Sequence, residues 1–140
     1  MRFGLVFPME NADISGCVRS ASLRCTHPNF TDRFIGHVEL TGARVIHRVD
    51  ANARTDHDLA RWGDDRILEL VTCAATPAAD IVLLPETALH TDHLATALTT
   101  AGGGVPVLTA TQATIWSLYR AVGLSPTARE AGPLFAARVR

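Results

Sequence analysis

Asp80-Ile-Val-Leu-Leu-Pro-Glu-Thr-Ala-Leu-His-Thr91 holds four consecutive apolar residues, Ile81 to Leu84, that run into a proline. A strand with one wet face alternates apolar and polar residues. An unbroken apolar run of this length instead suits a strand covered on both faces, as in a parallel sheet. Val105-Pro-Val-Leu108 repeats the pattern after Gly102-Gly103-Gly104. Working outward, Phe3 to Phe7 and Arg44 to Val49 read as two more strands, and Ser22 to Thr26 as a weaker fifth.

Between these runs the apolar period lengthens from two to between three and four. Phe34, Val38 and Thr41, closed by Gly42, describe a helix with a glycine stop. Leu59 and Trp62, a break at Gly63-Asp64, then Ile67, Leu70, Val71 and Ala74 describe another, ended before Pro77. Leu94, Leu98 and Ala101 form a third stripe, and Ile115, Leu118 and Val122 a fourth that closes at Gly123. Strands alternating with helices imply right-handed crossovers. The expected class is therefore α/β, one domain over residues 1–140, with a parallel sheet of four to five strands and helices on both faces. Residues 9–29 read as loop, favoured by Asn11, Asp13, Ser15 and Gly16; a loop that long often has a function or conceals a strand. In the tail, Gly132-Pro133 reads as a turn that brings Leu134-Phe135 back onto the body.

Composition bounds the function. A chain of 140 residues with 47% hydrophobic and 19% charged residues can bury a core. A net charge of −1, with the arginines scattered and no lysine, gives no footprint for nucleic acid or an anionic membrane. Met1 to Pro8 is too short for a secretory leader, and no run approaches the roughly 18 apolar residues of a membrane span, so a cytoplasmic protein is expected. Cys17, Cys25 and Cys73 are odd in number and lack CxxC spacing, which argues against a disulfide framework and a thiolate zinc site.

Chemistry in an open parallel sheet gathers outside the carboxyl ends of the strands, where helix N-termini can receive an anion. Those ends read Pro8 to Asn11, Thr26 to Asn29, Pro85 to Ala88 and Thr109 to Gln112. Hydroxyls and amides dominate three of them, a rim suited to a small carboxylate. Glu86 is the candidate acid/base, alternatively a first-turn carboxylate that favours the helix dipole. Thr87 and Thr109 are candidate donors or plain N-caps. Asn11 and Gln112 have no capping duty at their positions and so point to ligand contact. Trp116 is read as packing. Glu86, His90 and His93 could share a helical face, yet their spacing matches no established metal-ligand set; neither metal nor organic cofactor is expected, the chain also lacking a dinucleotide fingerprint.

The same segments carry a family resemblance. Residues 80–91, Val105 to Trp116 and Arg120 to Gly123 resemble the C-terminal half of maleate isomerases and arylmalonate decarboxylases, in the Asp/Glu racemase superfamily. Asn29 to Phe34 with Gly42 to Val45 is similar to the opening of that family's second lobe. Gly4 to Pro8 through Asn11 is similar to its first strand and substrate-binding turn, and Gly132 to Phe135 also fits. The resemblance implies a flavodoxin-like lobe and cofactor-free proton chemistry beside a carboxylate. Family members generally have two similar lobes, with a catalytic cysteine offered from one or both. This chain reads as a shortened, essentially one-lobed member, with Glu86 where the second lobe presents its cysteine and Phe30 where a tyrosine is expected. The implied protein is a cofactor-independent isomerase or lyase acting on a small carboxylate or enone-like metabolite. Glu86 is then the proton carrier, which requires a carboxyl raised toward neutrality by burial, and Asn11, Thr87, Thr109 and Gln112 hold the substrate. A homodimer with the site near its interface would restore the second wall. The alternative is a non-catalytic carboxylate-binding or partner protein derived from the same family.

Overall fold

In a computed structural model of the chain, residues 1–7, 30–50, 53 and 55–136 are described. Four strands, β1 (Arg2–Phe7), β2 (Arg44–Asp50), β3 (Ile81–Leu84) and β4 (Val107–Thr109), form one sheet in the order β2-β1-β3-β4. Every pairing is parallel. Between and after them lie α1 (Phe30–Leu40), α2 (Asp56–Leu59), α3 (Asp64–Ala74), α4 (Ala95–Ala101), α5 (Ala110–Ala121) and α6 (Pro133–Ala136). Single 3₁₀ turns at Asp92–Leu94 and Arg129–Ala131 precede α4 and α6. The expected parallel α/β architecture is what the chain adopts, with four strands among the described residues. The weaker strand candidate, Ser22 to Thr26, lies outside the described residues, as do Asn11, Cys17, Cys25 and the other residues between 8 and 29.

The strand order determines the layers. The chain steps one way from β1 to β2, then crosses back over β1 to reach β3 and continues to β4. With right-handed crossovers these opposite steps put α1 on one face and α3 with α4 on the other. The buried apolar cluster sits under the second pair. Val82, Leu84 and Val107 from the sheet meet Ile67, Leu70, Val71 and Ala74 of α3 and Leu94 and Leu98 at α4, with Leu59 and Leu89 closing the ends. Gly4 lets α3 come this close, because a β-carbon there would strike the Ala74 carbonyl. Along β3 burial alternates: Val82 and Leu84 are buried, whereas Ile81 and Leu83 are only half-covered. Among the described residues, neither α1 nor α5 contributes to the buried cluster.

Three expectations need correction. The fourth strand starts at Val107, two residues later than read from the sequence, and runs on to Thr109. Pro106 has no N–H to give a ladder, although its carbonyl accepts from Val82 N–H at 2.9 Å, and Val105 N–H turns back to Gly102. Next, the helix after β3 does not begin at Glu86: residues 85–91 are irregular, and helical structure starts with the 3₁₀ turn at Asp92. Glu86 is therefore no first-turn carboxylate. Finally, the stripe on α5 faces outward, with Ile115, Leu118 and Val122 all exposed.

Both glycine stops hold. Gly42 takes φ 82° after α1. Gly123 takes φ 76°, its N–H bonding to Arg120 O and that of Leu124 to Tyr119 O, the paired bonds of a Schellman cap. The tail returns as read: Phe135 is buried and its carbonyl accepts from Ala128 N–H at 3.0 Å. No helix of the described residues is long and apolar enough to cross a membrane.

Candidate active site at the carboxyl ends of the strands

Register places the strand ends. Leu84 pairs with Thr109 and Phe7 with Asp50, while Leu5 stands beside Leu83. Counting forward, Asp50 and Pro85 flank Phe7 on either side, about 9–10 Å apart across two strand spacings. Glu86 follows one residue beyond, over the middle of the sheet. The crossover direction reverses between β1 and β3, and such a reversal is where open sheets leave a crevice.

Glu86 is partly buried, and its Oε1 accepts from Ala88 N–H at 2.9 Å. That local bond holds the carboxylate over its own loop. It also satisfies one amide of a segment that has no helix to join. Among the described residues Glu86 is in no ion pair and Oε2 makes no hydrogen bond. Thr87, next in sequence, is exposed. Leu89 and Thr91 turn inward and anchor the loop, the Thr91 hydroxyl being buried without a hydrogen-bond partner.

At β4 the structure gives two candidates packing duties. Thr109 is the N-cap of α5, its hydroxyl accepting from Gln112 N–H at 3.2 Å. The Gln112 side chain is buried against Gly132 in the tail, with Oε1 lacking a partner. Thr109 and Gln112 thus stand together at one strand end, with Glu86 and Thr87 at the neighbouring one. Asn11 lies outside the described residues.

Asp50 is a further strand-end carboxylate, because β2 runs one residue past the end at Val49 that the sequence suggests. Its carboxylate receives Arg48 Nε at 2.9 and 3.1 Å, and Arg48 Nη1 reaches Asp32 of α1 at 3.2 Å. The i, i+2 spacing of Arg48 and Asp50, which places both on one face of a strand, is the signal that could have found it. Of the two described strand-end carboxylates, Asp50 is neutralised by its own strand and Glu86 is not.

His90 and His93 do not converge on Glu86. His93 Nε2 lies 3.0 Å from Asp64 Oδ1 at the start of α3, and its Nδ1 is 3.7 Å from Asp92. These contacts, the Asp64 hydrogen bond first, raise its pKa above the ordinary 6.5. Among the described residues no three His, Cys, Asp or Glu side chains are placed to hold a metal ion.

The backbone places the chain among solved proteins. It superposes on the maleate isomerase Iso from Pseudomonas putida S16 with a TM-score of 0.71 at 15% identity, covering 97% of this chain and 48% of that one. The fold is shared with that isomerase. A variant of the same isomerase, solved with maleate, gives 0.72 at 15% identity over 96% of this chain and 47% of the other. Unliganded arylmalonate decarboxylase gives 0.70 at 20% identity over 96% and 52%. The chain spans about half the length of these solved proteins. No family model and no curated protein matches the sequence.

Proposed function

We propose that the protein is a cofactor-independent isomerase or lyase that moves a proton at a carbon of a small carboxylate or enone-like metabolite, with Glu86 as the proton carrier. The observation that carries this reading is the setting of Glu86: a partly buried carboxylate past the end of a central strand, held by one backbone amide and by no cation among the described residues. The solved proteins of the same fold include one isomerase and one decarboxylase.

The chemistry asks little of the chain. Glu86 Oε1 stays on Ala88 N–H while Oε2 takes a proton from carbon, and the electron pair left behind spreads into the adjacent carbonyl or carboxylate. Return of the proton to the other face racemises the carbon, and return to a conjugated carbon shifts a double bond. In decarboxylation CO₂ leaves first, and protonated Glu86 supplies the proton. Thr87 hydrogen-bonds the substrate from the same loop. Thr109 and Gln112 hold the neighbouring wall, with Asn11 completing the binding set.

Incubation of the protein in D₂O with a panel of small mono- and dicarboxylates, followed by proton NMR, tests the reading. Deuterium appearing at carbon in one compound, at a rate proportional to protein concentration, is the expected result. A compound that raises the melting temperature by mass action while its carbon-bound protons stay in place would mean a binding protein and contradict the catalytic reading.

A further inference from the structure

Two residues at the end of β4 are covered by the tail. Gln112 is 7% exposed and Thr109 2%, and the turn at Gly132 lies directly against the Gln112 amide. The cover fits poorly, because Gln112 Oε1 is buried with no hydrogen-bond partner, whereas buried polar atoms are almost always paired. With the tail moved aside, water or a ligand could satisfy that oxygen.

The tail is also lightly fastened. Between Ala121 and Ala136 only Gly132 and Phe135 are buried, and Phe135 stands apart from the main apolar cluster. The backbone hydrogen bonds of the segment run within it: Ala128 N–H to Phe135 O at 3.0 Å, Ala131 N–H to Ala128 O at 3.1 Å and Phe135 N–H to Gly132 O at 3.1 Å. Among the described residues none ties residues 125–136 to a strand. Segments with few buried contacts are the ones that open on their own.

From this we infer that residues 124–136 form a strap that opens at the joint after Gly123 while the sheet stays folded, and that opening uncovers Gln112 and Thr109 to a ligand. The joint suits the movement. Gly123 ends α5 at φ 76°, and the run from Leu124 to Ala128 belongs to no helix or strand. An exposed bond from Arg120 Nη1 to Ser125 Oγ, 2.8 Å, spans the joint. That the uncovered residues then meet substrate rests on the reading above, in which they hold it; the opening does not.

Hydrogen–deuterium exchange of the unmodified 140-residue chain, resolved to single amides by NMR, tests the opening without a ligand. A detached segment this short keeps no turns of its own in water. Corrected for intrinsic rates, the Ala128, Phe135 and Ala136 amides should therefore exchange roughly a hundredfold or more faster than Val82 N–H, which is bonded to Pro106 O in the sheet. Gln112→Met keeps the length of the side chain and removes the unpaired oxygen, so the tail amides should slow by roughly tenfold or more. Phe135→Ala should leave them unprotected, with Val82 still protected and the far-UV circular dichroism spectrum unchanged. Tail amides that exchange only as slowly as Val82 would mean one cooperative unit and overturn the inference. So would tail exchange that neither substitution alters. Should Phe135→Ala fail to fold, the comparison of tail and sheet amides in the unmodified chain decides alone. None of these results depends on turnover, so a failure of the strap and a failure of the catalytic reading are told apart.

Discussion

The Gln112 side chain fills the space that a β-carbon on Gly132 would need. Gly132 also sits at φ 101°, a backbone conformation that a side chain resists. Two independent reasons thus require glycine where the tail closes over the start of α5.

Gly132→Ala should accordingly destabilise the protein by roughly 2–3 kcal/mol, summing about 1 kcal/mol of backbone strain with the cost of overpacking. Urea unfolding followed by circular dichroism measures it. A loss below about 0.5 kcal/mol, the range of an ordinary surface change, would mean that the tail adjusts freely and that Gln112 is not held.

Thr109 gives a prediction of opposite character, since the hydroxyl acts and the bulk does not. Removing the acceptor for Gln112 N–H in Thr109→Ala should cost about 1 kcal/mol, while Thr109→Ser should recover most of it. Equal losses in the two variants would show that the methyl group, not the cap, matters at the end of β4.

His93 couples the turn before α4 to the start of α3. Its pKa is raised, so the stabilising contribution is fully present below 6.5, its ordinary and unfolded-state value. It is lost as pH rises through the higher folded value. Both partners are about half exposed, and the energetic effect is small. Proton NMR titration should show the His93 ring titrating above 6.5, and moving down in Asp64→Asn. A ring whose titration ignores that substitution would contradict the pairing.

Much of this fold is legible in the sequence, and the exceptions have physical causes. Ile81–Leu84 emerges with the bounds that its apolar run suggests, because Pro85 ends the ladder chemically. The Val105 strand slips by two residues because Pro106 has an acceptor and no donor, a detail that hydropathy does not register. The α5 stripe reads correctly as a helix face but not as an exposed one, since periodicity tells which side is apolar and never what covers it.

The site is less legible than the fold. Glu86 stands just past a strand end as its sequence suggests, but the helix that would lend it a dipole starts six residues later, and a local bond from Ala88 takes that role. Thr109 and Gln112 stand side by side as their spacing suggests. That the Gln112 side chain meets Gly132 depends on a contact twenty residues away, which no local pattern carries. Asp50 is not legible as a site residue, because one residue decides whether a strand end bears a carboxylate.

The most direct test of the catalytic reading is the rate of solvent deuterium incorporation by Glu86→Gln beside that of the unmodified protein, on whichever carboxylate the unmodified protein exchanges. Glutamine keeps the shape and the oxygen that accepts from Ala88 N–H, so fold and ligand binding should persist. It cannot carry the proton. The rate should therefore fall by roughly two to four orders of magnitude, the usual contribution of a positioned acid or base. Exchange at the full rate in Glu86→Gln, with the ligand-induced shift in melting temperature intact, would contradict the account and put the proton carrier elsewhere in the chain.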